Sequence, residues 1–181
     1  MEQIAEEADV AKATLYNYFP VKEALLAHRF REDIAAGMIE RAAALNAYRT
    51  FDARMRYLLR ESAAWHAQRR IYLPHHLRFL TSRACLGEQD RDSTRIDSDG
   101  WQILTLMFRA AQESGEVSKA QSAEQIAWSF QYLLFGAISA WLIDPSRDLV
   151  ERFLAAFDLA MHGVSQPSQA THAPTKARAK R

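Results

Sequence analysis

Along most of the chain apolar residues recur every three or four positions, and short polar or Pro/Gly breaks separate the runs. That spacing lays one apolar stripe along each of a series of helices. The clearest run spans residues 22–45, where Leu26, Phe30, Ile34 and Met38 follow one another at i+4. Ahead of it, two short helices are predicted at 1–8 and 12–19, around a tight turn at Asp9-Val10, and Pro20 stops the second. A helix over 51–70 carries Met55, Leu58, Leu59 and Trp65, and Pro74 suits the first turn of another that ends near Cys85. Residues 87–100 are polar apart from Ile96 and read as a surface loop. Three further helices are predicted at 101–114, 123–143 and 147–163, with Gly115 and Pro145 at the breaks.

Composition agrees with an all-α fold. Hydrophobic residues make up 49% of 181, enough for a core, and six glycines and five prolines leave the helical stretches uninterrupted. Residues 165–181 have no apolar periodicity and are expected to be a disordered basic tail. That tail holds Lys176, Arg178, Lys180 and Arg181, so the formal +1 becomes −3 for residues 1–164, with 19 basic against 22 acidic side chains. Global charge therefore does not argue for nucleic acid. One cysteine, Cys85, excludes a disulfide framework within the chain and suits a reducing cytoplasm. Residues 125–143 have the length of a membrane span. Gln125, Ser129 and Gln131 interrupt the first half, however, and no positive cluster flanks it, so a helix buried on both faces of a soluble protein is expected, with no membrane partner.

Residues 4–26, IAEEADVAKATLYNYFPVKEALL, carry the functional signal. Two helices that cross over a three- or four-residue turn need small residues at the crossing, and Ala5 and Ala8 qualify. The turn needs a residue tolerant of positive φ, which Asp9 can be. Apolar residues must follow on the inner face, where Val10, Leu15 and Phe19 stand. This is the pattern of a helix-turn-helix, whose second helix enters the DNA major groove.

The same run resembles the signature of TetR-family transcriptional regulators, matching at Ile4, Ala5, Ala8, Val10, Thr14, Leu15, Tyr16, Tyr18, Phe19, Lys22 and Leu25. The resemblance implies that Lys12, Ala13, Thr14, Tyr16 and Asn17 face operator double-stranded DNA, with Tyr18 and Lys22 against phosphates. It also implies a division into a DNA-binding part at 1–24, a helical ligand-binding and dimerising part at 25–164, and the tail at 165–181. Four departures stand out. Asp9 replaces a glycine, Ala11 a capping Ser/Thr, and Val21 a capping Ser/Asn. The family's first helix is absent from the sequence, which would leave Ile4, Leu15 and Phe19 uncovered, so a longer reading frame upstream of Met1 is expected. Residues 1–30 carry three basic against five acidic side chains, a poor electrostatic footprint for DNA.

In such regulators the middle helices enclose a small-molecule effector. The candidates are Tyr57, Trp65, His66, Tyr72, His75, Phe79, Trp101, Met107 and Phe108, each of which core packing would explain equally well. His75 and His76 are adjacent on a helix, about 100° apart, and make a poor metal pair, so no metal or cofactor is expected. The last two helices resemble the family's dimerising pair. Leu133, Leu134, Ala137 and Trp141 form one apolar stripe, with Trp128, Tyr132, Phe135 and Ile138 on other sides. Leu133, Gly136, Ala137, Ala140, Trp141, Phe153 and Phe157 are the expected homodimer face. No phosphate loop, nucleophile elbow or metal-ligand set suggests an enzyme. The expected function is a cytoplasmic, ligand-responsive repressor; the alternative is a ligand-binding adaptor whose DNA-binding part is degenerate.

Overall fold

A computed structural model of the protein describes residues 1–86 and 99–163, and every regular element among them is a helix. In chain order these are α1 (Glu2–Glu7), α2 (Lys12–Tyr18), α3 (Lys22–Leu45), α4 (Phe51–Gln68), α5 (Leu73–Leu86), α6 (Asp99–Glu113), α7 (Ala123–Ile143) and α8 (Leu149–His162). The expected tail lies outside the described residues, as does the expected loop apart from Asp99 and Gly100, which open α6. α8 starts at Leu149 rather than two residues earlier, because the Asp148 carboxylate accepts from Val150 N–H at 3.3 Å and caps the helix there.

Cap chemistry sets the short N-terminal helices. At the end of α1, Val10 N–H donates to Ala5 O and Asp9 N–H to Glu6 O, with Asp9 at φ 51°. This is a Schellman termination in which an aspartate holds the left-handed position usually given to glycine. α6 ends the same way, with Gly115 at φ 81° and Glu116 N–H donating to Ala111 O. Neither Ala11 before α2 nor Val21 before α3 supplies a side-chain cap. Ala11→Ser is expected to raise the unfolding free energy by about 1 kcal/mol, measured as a higher urea midpoint at unchanged slope.

Behind α3, the bundle closes on a chain of aromatic rings. Phe108 of α6 meets Phe51 of α4 at 5.2 Å and Phe130 of α7 at 5.9 Å, and both of those reach Phe157 of α8. α7 packs on α6 and α8, and α4 packs on α8. Glu116 accepts from Phe51 N–H at 2.7 Å, tying the α6–α7 loop to the start of α4. Buried Gln112 donates to Ser118 O and Gln121 O and holds the same loop from inside.

α7 is long and apolar enough by length and composition to cross a membrane. It buries one face, not both. Ala123, Ala127, Phe130, Leu134, Ile138 and Trp141 form the inward stripe. Leu133 is exposed and Ala137 half-buried, whereas Ile138 points inward, so the stripe differs from the one expected.

Candidate recognition helix and effector cavity

The N-terminal helices present α2 to solvent. Its Leu15 is buried against α1 together with Ala5, which leaves the opposite side of α2 free. Lys12, Ala13, Thr14, Tyr16, Asn17, Tyr18 and Lys22 are all exposed, Tyr16 at 40% and Tyr18 at 76%. One charge among them is engaged. Lys12 pairs with Glu2 across the α1–α2 turn, and that hydrogen bond holds the Lys12 ammonium above and the Glu2 carboxyl below their usual ranges. Phe19 leaves α2 and packs its ring on His28 of α3 at 5.4 Å, joining the motif to the long helix. On the other side, Ile4 and Val10 are exposed.

A second feature lies further along α3. Between α3, α4, α5, α6 and α7 the side chains line a cavity of about 170 Å³ that is partly open to solvent. α4 lines it with Met55, Leu58, Leu59, Ser62, Trp65 and His66, all near one face by their i, i+3, i+4, i+7 spacing. Ile34 and Arg41 come from α3, Leu73, His76 and Leu77 from α5, and Ile103 and Leu104 from α6. Gln131, Leu134, Phe135 and Ile138 of α7 close the far wall, with Phe153 of α8. The lining is thus mainly apolar, with one ion pair, Arg41 Nε to Glu61 Oε2 at 3.1 Å, at its edge.

Both lining histidines are held neutral. Burial pushes His66 down to about 4, against a partly offsetting hydrogen bond with Ser62. Burial, with repulsion from His66, pushes His76 down to about 4 as well. The unfolded chain therefore binds more protons than the folded one between pH 6.5 and about 4. Stability is complete above 6.5 and lost as pH falls through that window. The urea midpoint is expected to fall over this range, and His66→Gln should make the fall shallower than in the parent; an equal slope would count against the buried, neutral ring.

Of the expected effector residues, Trp65 and His66 line this cavity. Tyr57 stacks on Tyr48, while Tyr72 and His75 are exposed and Phe79 is half-buried. Trp101 and Met107 pack against the core from its margin, and Phe108 sits at its centre. Among the described residues no group of three or more His, Cys, Asp or Glu comes together as metal ligands. Of the expected dimer face, Leu133 and Gly136 are exposed and Ala137 and Ala140 half-buried, whereas Trp141, Phe153 and Phe157 point into the bundle. Arg41, Glu61 and His76 were not expected in the lining. The α4 spacing could have placed Glu61 beside Trp65, but only the packing of α3 on α4 reveals Arg41.

Residues 1–28 match the family model of bacterial regulatory proteins of the tetR family. No curated protein matches the sequence. Among solved structures, the chain is similar to FadR of Thermus thermophilus, a TetR-family transcriptional repressor in complex with lauroyl-CoA. The TM-score is 0.73 and the identity 23%, over 97% of this chain and 87% of that one. It is also similar to the transcriptional regulator FadR of Bacillus subtilis in complex with stearoyl-CoA. Here the TM-score is 0.65 and the identity 19%, over 91% and 88% of the two chains. The tetR-family match thus covers the exposed turn of α1 and α2, and the helical body behind it shares the fold of those two regulators.

Proposed function

We propose that the protein is a cytoplasmic, ligand-responsive repressor, not an enzyme, that binds operator DNA as a homodimer and is released by a small molecule. In this reading residues 1–24 bind DNA, with Lys12, Ala13, Thr14, Tyr16, Asn17, Tyr18 and Lys22 at the interface, and the helices from 25 onward bind effector and partner. The observation that carries it is the double attachment of α3. Its N-terminal end holds Phe19 of the helix-turn-helix through His28. Further along, Phe30 is clamped between Trp65 at 5.0 Å and His76 at 4.6 Å, both of them lining the cavity. Asp33 of the same helix binds Arg69, whose guanidinium lies 4.3 Å over the Trp65 ring. An occupant that moves Trp65 or His76 thus moves the lever on which the recognition helix sits, and it lowers operator affinity by its preference for the moved state.

The outer face of α7 and α8 supports the dimer. Trp128, Tyr132, Leu133, Ile143 and Leu159 are exposed large apolar residues, and beside them Gly136, Ala140 and Ala155 line a shallow groove with Arg147 and Glu151. An apolar patch of this kind on one subunit fits a self-complementary contact with a second copy. Fluorescence anisotropy with genomic operator fragments, with and without effector, tests the repressor reading, and a mass measurement at micromolar concentration tests the dimer. A monomer there, or no fragment bound above non-specific DNA, would sink it.

One observation favours the second reading, a ligand-binding adaptor with a degenerate DNA-binding part. Residues 1–30 are net acidic, and Lys12 is already paired with Glu2. In that case the cavity would bind its effector while the chain bound no DNA.

A further inference from the structure

The chemistry of the cavity constrains its occupant. Its volume is about 170 Å³, close to an engineered protein cavity of ~150 Å³ that binds benzene. The charged lining residues, Arg41 and Glu61, cancel one another in a single ion pair. His66 and His76 are neutral. An ionised ligand entering this space would lose its hydration without meeting an uncompensated countercharge, which burial penalises heavily.

Arg41 nevertheless keeps donors in reserve. Its Nε donates to Glu61, and a guanidinium carries further N–H groups in a fixed fork. The guanidinium lies over Gly37, one turn earlier on α3, in space that a Cβ would fill. The missing side chain at Gly37 is what lets Arg41 fold along its own helix to the cavity edge. His66 faces the same space as an acceptor: its Nδ1–H donates to Ser62 O at 2.7 Å, which leaves the lone pair on Nε2.

Resting on the proposed effector role of this cavity, we infer that the effector is an uncharged, mainly apolar molecule with a body about the size of benzene, whose polar head accepts a hydrogen bond from Arg41. Arg41 and Gly37 together determine that specificity.

The test uses the full chain with methyl benzoate, benzoate at pH 7.5 and lauroyl-CoA as probes, read by thermal shift and calorimetry. Methyl benzoate should raise Tm and bind about tenfold more tightly than benzoate, and Arg41→Ala should remove about tenfold of its affinity. Because Arg41→Ala also removes the charge that compensates Glu61, Gly37→Ala, which keeps that charge, is the second variant. It favours the helix yet displaces the guanidinium, and should weaken the ester without lowering Tm. Benzoate binding as tightly as the ester, the ester binding Gly37→Ala unchanged, or lauroyl-CoA binding where the ester does not, each overturns the assignment. Operator binding without ligand is measured in parallel. If it persists while no ester binds, only the ligand class is refuted; if it is absent as well, the proposed repressor function falls with it.

Discussion

Phe108→Ala is expected to lower the unfolding free energy by about 3–5 kcal/mol, the range for truncating a buried phenylalanine, and to lower Tm by about 10 °C in a chain of this size. The reason is position. Phe108 is 0% exposed and packs on Phe51 and Phe130, each of which continues to Phe157, so one ring ties α6 to α4 and α7, and through them to α8. Removing it leaves a void that four helices would have to close together. Leu106, two residues away on the same helix and exposed, is the internal control. Its truncation should stay within about 0.5 kcal/mol. Urea unfolding of both variants checks the contrast, and a cost at Phe108 below 1 kcal/mol would mean that the aromatic cluster is not the core of the bundle.

The second large effect concerns DNA. Tyr16→Ala is expected to weaken operator binding about tenfold or more, and Lys22→Ala to weaken operator and non-operator DNA alike while reducing the salt slope by about 1. Both side chains are exposed, so neither change should move Tm by more than a degree or two. Lys22 stands out because the other lysine of the motif, Lys12, is held by Glu2, and Arg29 is paired with Asp33. Anisotropy titrations at several salt concentrations separate the two roles. Unchanged affinity in both variants, with the parent binding operator specifically, would remove α2 as the reading element.

How much of this was legible beforehand follows from the range of the interactions involved. Helix positions depend on near neighbours, and α3 and α7 occupy the spans that their apolar spacing predicted. The turn at Asp9 was legible for the same reason, since positive φ and a Schellman ending are decided within six residues. The exposed residues of α2 followed from its one buried leucine, Leu15. Aromatic content was a poorer guide. Tyr72 and Phe108 are alike in sequence as large rings of the central stretch, yet one is exposed in the turn before α5 and the other is the centre of the core.

What the sequence by itself determined is the all-helical order of elements and the helix-turn-helix that opens it, because caps, breaks and periodicity are local. The tertiary structure alone decided which face of α7 is buried, which rings line the cavity, and that Arg41 meets Glu61 over a glycine. These depend on the rotation of each helix against partners twenty or more residues away, and on volumes that no periodicity encodes.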